Sequence, residues 1–390
     1  MYDFDKIIDR KNTGSEKHDF AKEYGIPENA LPLWVADMDF CSPQEVTDAL
    51  VKRMEHGIFG YTDVKPDGKY FEALSTWMKE RHNWQVKPEW LVKTPGVVFA
   101  IAMAIQAFTK PGDAILIQEP VYHPFARTVR LNDRKLVENS LVNNNGHYEI
   151  DFGTFEKQIK ENNVKLFVFC SPHNPVGRVW KKEELQKVAE ICLKHNVFVV
   201  SDEIHNDFIY PGNTHTVFST LGEEIAQNCM VCTAPSKTFN VPGFQCSNIF
   251  ITDQKRRQLL EERITACALG EINIAGLTAC EAAYRYGGEW LDELLKYLHA
   301  NVDFVRDYLK KNIPEVKMIY PEGTYLLWLD FRSLKLPQKE LVKRLLNDCG
   351  LWFNDGSIFG AGGTGFMRVN IASPRSVIEE AMRRLQKIAG

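Results

Sequence analysis

Between residues 114 and 251 the chain alternates short, almost wholly apolar runs with amphipathic stretches, and this rhythm restricts the fold more than any other feature. The runs are AILI at 114–117, LFVF at 166–169, VFVV at 197–200, MVCT at 230–233 and NIFI at 248–251. Each is too short for a buried helix and too apolar for a strand with one wet face, so each predicts a strand covered on both sides. Between two of them lies KKEELQKVAEICLKH (181–195), whose apolar residues recur at helical spacing. Strand, helix, strand with short connections predicts an α/β fold with a mostly parallel sheet.

The last hundred residues read differently. Long helical patterns at 289–312, 338–349 and 376–388 flank candidate strands YLLWLDF (325–331) and FMRVNIA (366–372), which predicts a smaller α+β lobe. A chain of 390 residues exceeds what one simple core organises. The expected division is a large domain over 46–284 and a small domain made of 1–45 and 285–390. Ser42-Pro43-Gln44-Glu45 predicts a helix start, with Ser42 as the capping residue.

In open α/β sheets ligands bind beyond the carboxyl ends of the strands. Three candidate strands end in reactive residue types there: LFVFC runs into SPHNPVGRVW with Asn174, VFVV into SDEIHND with Asp202, and MVCT into APSKTFN with Lys237. The three types have complementary uses on a pyridine aldehyde. A shielded lysine has a lowered pKa and forms an imine. A carboxylate keeps the ring nitrogen protonated, and an amide donates to the ring's oxygen. Thr94-Pro95-Gly96-Val97-Val98 precedes the apolar helical run FAIAMAIQAF, and free amides at such a start suit a phosphate. Ser236 offers a hydroxyl to the same group.

The remaining chemistry classes are argued against. Net charge is −4, with no basic excess for nucleic acid. No stretch of about 18 uncharged apolar residues suggests a membrane span, and the N-terminal MYDFDKIIDRKNTGSEKHDF has no apolar signal region, so a cytoplasmic location is expected. Nine scattered cysteines do not resemble a disulfide framework. Cys229 and Cys232 form a CxxC without a second ligand pair, so thiols on a buried strand are expected and no metal site.

At this point the whole chain resembles fold-type-I enzymes that use pyridoxal 5'-phosphate (PLP), and within them C–S lyases of the cystathionine β-lyase/cystalysin type, the MalY/PatB family. The segments that carry the resemblance are LPLWVADMDF (31–40), GYTD (60–63), TPGVV (94–98), PVYHPF (120–125), SPHNPVGRVW (171–180), SDEIHND (201–207), APSKTFNVPGF (234–244), EGTYLLWLDF (322–331) and GFMRVNIA (365–372), in the family's order. The resemblance implies a large domain with a mostly parallel seven-stranded sheet and a smaller α+β domain.

It also implies roles. Lys237 resembles the lysine that binds the cofactor and shuttles protons, and Asp202 the partner of the pyridinium nitrogen. Asn174 resembles the donor to the phenolate oxygen and lies beside the substrate. His205 stands near that oxygen, and Tyr122 resembles the aromatic that stacks on the ring; with Lys237 and Asp202 it is counted as catalytic. Val97, Val98 and Ser236 would hold the phosphate, and Tyr61 resembles the tyrosine that reaches the phosphate of the neighbouring subunit in a homodimer. Arg368 resembles the clamp on the substrate α-carboxylate. Two positions depart from the pattern. Phe244-Gln245-Cys246-Ser247 holds no arginine where many members have one on the phosphate, and His123 stands where cystalysin-like members can carry a second tyrosine. The implied activity is cleavage of the Cβ–S bond of L-cystathionine, cysteine or a related amino acid to thiol, pyruvate and ammonia. An aminotransferase using the same machinery is the alternative, and a regulatory binding protein built on the fold is a third reading.

Overall fold

The computed structural model describes residues 2–65 and 67–389. Its large sheet has seven strands: β1 (Leu91–Thr94), β2 (Ala114–Glu119), β3 (Lys135–Ser140), β4 (Leu166–Cys170), β5 (Phe198–Asp202), β6 (Cys229–Thr233) and β7 (Ser247–Phe250). Their order across the sheet is β1-β7-β6-β5-β4-β2-β3. The neighbours from β3 to β6 pair in parallel, and β7 is antiparallel to both β6 and β1. The five apolar runs all fall in this sheet. The two strands without such a run, LVKT and KLVENS, are its edges, where one face or one side meets solvent and alternation replaces a continuous apolar run.

The strand period of two divides the core. Leu116, Phe167, Phe169, Val199 and Val231 point into one apolar cluster. Ile117, Val168, Val200 and Met230 point into another, on the face covered by the helix Val97–Phe108. Cys170, Asp202 and Cys232 continue the second set, and the register places them side by side across β4, β5 and β6.

The smaller sheet contains β8 (Lys317–Ile319), β9 (Leu326–Asp330), β10 (Asn354–Asp355) and β11 (Phe366–Asn370), antiparallel in the order β8-β9-β11-β10. Helices Gly288–Asn312 and Arg375–Leu385 accompany it. The N-terminal segment joins the small lobe rather than the large sheet: Leu31–Pro32 pairs in parallel with Leu351–Trp352 as a separate two-stranded sheet, and the Asn370 side chain donates to the carbonyls of Val35 and Asp37, both at 2.6 Å. Trp34, Ala36 and Asp37 are thereby laid along the small lobe.

Main-chain bonds tie the lobes together. The amides of Glu322 and Gly323 donate to the Gly177 carbonyl at 2.8 and 3.1 Å, and the Thr324 amide donates to the Phe208 carbonyl at 2.9 Å. The backbones approach so closely that side chains are excluded. Gly177 has φ +72°, and a Cβ there would meet Pro321 Cβ at 2.7 Å; a Cβ on Gly323 would meet the Phe208 carbonyl at 2.4 Å.

One local expectation fails. The helix expected from Ser42 begins at Gln44, with Pro43 at the cap position and no side-chain cap. The Ser42 hydroxyl instead donates to the Asn240 carbonyl at 3.4 Å, so a tertiary contact takes the group that local pattern assigned to the helix end.

Candidate active site

The carboxyl ends of the parallel strands enclose a cavity of about 360 Å³ on the face of the Val97–Phe108 helix. Each strand delivers one group. Asp202 is the last residue of β5, Asn174 stands in the turn after β4, and Lys237 belongs to the short helix Pro235–Thr238 that follows β6. Gly96 opens the helix after β1, and β1 runs in the direction of the central strands because two antiparallel pairings separate it from β6. Tyr122, His205, Ser236, Val97 and Val98 complete the walls.

Arg368 comes from β11 of the small lobe and reaches the same place. Its Nη1 donates to Asn174 Oδ1 at 3.1 Å; its Nη2 donates to the Trp34 carbonyl at 3.0 Å and to Asn354 Oδ1 at 2.5 Å. Its Nε is buried without a partner. One lobe, the other lobe and the N-terminal segment therefore meet on a single guanidinium. Because Asn174 spends its oxygen on Arg368, its amide hydrogens are left for the cavity.

The cavity charges are short of partners. Lys237 Nζ donates to the Ala36 carbonyl at 2.9 Å. Burial, with the nearby Arg368 charge, lowers its pKa from 10.5 to about 8, so a neutral amine is accessible near neutrality. Burial raises Asp202 to about 7 against the pull of the Ile204 amide at 3.1 Å. Burial also lowers Arg368 to about 10 and, with Lys237 and Arg368, His205 to about 3. His205 is thus neutral, with Nδ1 buried and unpartnered.

This donor set fits PLP. A buried carboxylate that lacks a cation matches a protonated ring nitrogen, and a buried amine of depressed pKa matches an aldehyde. The first-turn amides of Val97 and Val98 have no intrahelical acceptor, as in any helix start, and the Gly96 position opens into free space. Ser236 lines the same cavity. Cys170 and Cys232 flank Asp202 as buried thiols whose pKa burial pushes up. The CxxC thus lies within β6, and among the described residues no three His, Cys, Asp or Glu gather as a metal site.

The structure brings together Lys237, Asp202, Asn174, His205, Tyr122, Val97, Val98, Ser236 and Arg368. It does not bring Tyr61, whose side chain is fully exposed (108%) and lines no wall of the cavity. Sequence reasoning assigns no role to Ala36, Trp34 or Asn354. Their contacts with Lys237 and Arg368 use backbone carbonyls and an amide from distant segments, and neither motif nor spacing marks such partners. His123 borders an adjoining outer cavity, where burial and the charges of Arg368 and Arg127 lower its pKa to about 4.

Comparison with known proteins gives a consistent set. Residues 29–385 match the family described as aminotransferase class I and II. The chain is 44% identical over 383 residues to cystathionine beta-lyase PatB of Bacillus subtilis (strain 168), covering 98% of each protein. Among solved structures, PLP-bound putative aminotransferase from Clostridium difficile 630 superposes with a TM-score of 0.97 at 43% identity, covering all of both chains. Cystalysin from Treponema denticola, which contains a pyridoxal 5'-phosphate cofactor, superposes at 0.96 with 42% identity over 100% of this chain and 99% of that one.

Proposed function

Because the chain belongs to the aminotransferase class I and II family and resembles its C–S lyases from end to end, we propose that it binds PLP at Lys237 and cleaves the Cβ–S bond of L-cystathionine, cysteine or a related β-thio amino acid. The products are a thiol, pyruvate and ammonia. The observation that carries this reading is the buried amine of Lys237, pKa about 8, in a cavity where Asp202, Asn174 and Arg368 converge.

When bound, the cofactor supplies an electron-accepting ring beside the substrate's Cα. Asp202 supports that capacity by holding the proton on the ring nitrogen. Asn174 and His205 would face the ring's oxygen, and Tyr122 would cover one side of the ring. The Val97 and Val98 amides and the Ser236 hydroxyl would anchor the phosphate, all of them lining the same cavity. Arg368 holds the substrate α-carboxylate, with its unpartnered Nε available for one arm of a forked contact. That clamp fixes the direction of the Cα–H bond towards Lys237, whose Nζ takes the proton and returns it to the departing sulfur.

The same groups would serve an aminotransferase, which differs in the fate of the bond to sulfur. Assay of the purified holoenzyme on L-cystathionine without any 2-oxo acid separates the two. Thiol and pyruvate in equal amounts are expected; no thiol, with turnover only when a 2-oxo acid is added, would transfer the assignment to amino-group exchange.

Tyr61 belongs to this reading through a second chain. It stands fully exposed beside exposed Ile58 (66%) and Phe59 (59%), an apolar stretch that suits burial against another copy. The proposed homodimer delivers Tyr61 to the partner's phosphate. Mixing Tyr61→Phe and Lys237→Ala chains under conditions of subunit exchange should then restore activity, because some hybrid dimers carry one intact site.

A further inference from the structure

Residues 34–37 belong to no strand, yet a side chain holds each of their carbonyls. Arg368 Nη2 donates to Trp34 at 3.0 Å, and the Asn370 amide donates to Val35 and Asp37, both at 2.6 Å. The Ala36 carbonyl differs from these three in taking two donors, one from each lobe. Lys237 Nζ reaches it at 2.9 Å from the large lobe, and the Tyr325 hydroxyl reaches it at 3.0 Å from the small lobe. Ala36 lines the wall of the cavity that holds Lys237.

Tyr325 is set firmly for this contact. It directly precedes β9, and its own carbonyl accepts from the Ile371 amide at 3.0 Å. Its ring is fully buried, with its centroid 4.8 Å from that of Phe208 and 5.8 Å from that of His205, both in edge-on contact. Burial, with the Asp37 charge, pushes the phenol pKa up, so the hydroxyl keeps its proton and remains a donor.

Sharing one oxygen affects Lys237 in each of its states. A carbonyl has two lone pairs, so the amine and the hydroxyl bind together without displacing each other. A hydrogen bond to the charged form of an amine favours that form. Tyr325 draws on the same oxygen, weakens that preference, and so acts in the same direction as burial, which lowers Lys237 to about 8. While the amine is unattached, its bond to Ala36 fixes one N–H, and together with Cε this limits where the lone pair points. When the amine leaves to carry the cofactor, Tyr325 keeps the carbonyl paired inside a cavity that ligands fill.

We propose that Tyr325 is a positioning residue for Lys237: through the shared Ala36 carbonyl it holds the unattached ε-amine ready to take a proton, and it lets that amine pass between Ala36 and the cofactor without leaving the carbonyl unpaired. The proposal rests on the reading of Lys237 as the lysine that binds PLP and moves the α-proton.

The test compares the unaltered protein with Tyr325→Phe, which keeps the buried ring against Phe208 and removes only the hydroxyl. In cofactor-free protein, the rate of Lys237 acetylation by acetic anhydride, followed across pH by peptide mass spectrometry, measures the neutral amine. Its fraction at pH 7 should fall about 3-fold in the variant, because Ala36 then serves the ammonium alone. A merely structural loosening of residues 34–37 would free Lys237 from Ala36 and raise that fraction instead. The PLP concentration that half-saturates borohydride-fixable attachment at Lys237 should rise about 5-fold, since attachment then breaks the only bond at the carbonyl. In holoenzyme, kcat for pyruvate release from L-cystathionine should fall about 5-fold with KM nearly unchanged, because Arg368 is untouched. p-Aminophenylalanine at position 325, which keeps a donor on the ring, should restore all three. A neutral fraction unchanged or raised by Tyr325→Phe, or attachment as tight as in the unaltered protein, would overturn the positioning role and leave the lyase reading intact. No borohydride-fixable cofactor on Lys237 of the unaltered protein would overturn both.

Discussion

Asp202 and Asp207 belong to one short segment and both are buried, yet the protein treats them in opposite ways. Asp207 sits behind the site. Burial alone would raise its pKa, but His82 at 2.9 Å, Trp77 at 3.1 Å and the Thr238 hydroxyl at 2.6 Å outweigh burial and lower it. Asp202 receives a single hydrogen bond, from the Ile204 amide, and burial raises it to about 7. A carboxylate with three donors is complete, and it steadies Thr238 next to Lys237. A carboxylate with one is incomplete, and the missing partner is what a cationic ring supplies. The pattern extends outward: Asp39 receives Arg10, Lys17 and the Ser373 hydroxyl, whereas Lys237 has only the Ala36 carbonyl and Arg368 Nε and His205 Nδ1 have no partner. Completeness separates the groups that hold the fold from those that wait for a ligand.

The strongest way to break this distinction is to remove the central unsatisfied group. Lys237→Ala should lower kcat for pyruvate release at least about 10³-fold, since both cofactor attachment and proton transfer lose their agent. Borohydride should then no longer fix the cofactor to the chain, although the variant folds. Asp207→Ala should do the reverse, acting on stability. It leaves His82, Trp77 and Thr238 without an acceptor and should cost about 3 kcal/mol by denaturant titration. A mild effect there would deny Asp207 its structural role.

The sharpest contrast comes from Asp202→Asn in cofactor-free protein. The folded carboxyl titrates near 7 and the unfolded one near 3.8, so the folded state binds the extra proton between those values. Stability of the parent therefore falls as pH rises from about 4 to about 7, and the deficit persists above. The asparagine variant should be more stable than the parent at pH 8, by about 1–2 kcal/mol, and the advantage should vanish by pH 4. Loss of stability at pH 8 would place Asp202 with Asp207. The smallest expected effect is Arg368→Lys, which keeps the charge but loses the fork. KM for L-cystathionine should rise about 10-fold with a lesser change in kcat.

Much of the large sheet is written in local pattern, because strands buried on both faces need uninterrupted apolar runs. The edge strands Leu91–Thr94 and Lys135–Ser140 lack that need and do not stand out. Asn174, Asp202 and Lys237 are readable because each follows such a run at a strand's carboxyl end. Ser42 shows the opposite case: its sequence context is that of a cap, and only the remote Asn240 explains what it does. The contacts of Trp34, Ala36 and Asp37 are illegible for the same reason, since they depend on a segment far away in the chain that pairs with the small lobe. Tyr61 is fully exposed and has no place in the site of one chain; only the resemblance carried by GYTD, and no local pattern, assigns it to a neighbouring subunit.

The junction that Gly177 and Phe208 make with Glu322, Gly323 and Thr324 has an evolutionary corollary. Main-chain amides and carbonyls make much of the join. The Glu322 carboxylate adds bonds from Arg178 Nε and the Val179 amide, both at 2.8 Å, and Gly177 and Gly323 leave no room for a Cβ. Outside Gly177, Arg178, Glu322 and Gly323, side chains are therefore free to drift without loosening it. Length is another matter. One residue inserted or deleted between Asn174 and Arg178, or between Glu322 and Leu326, would shift the register of every bond at once and carry Arg368 away from Asn174. Relatives of this protein should therefore vary in composition here far more readily than in spacing, and a gap in their alignment at either turn would mark a change of chemistry.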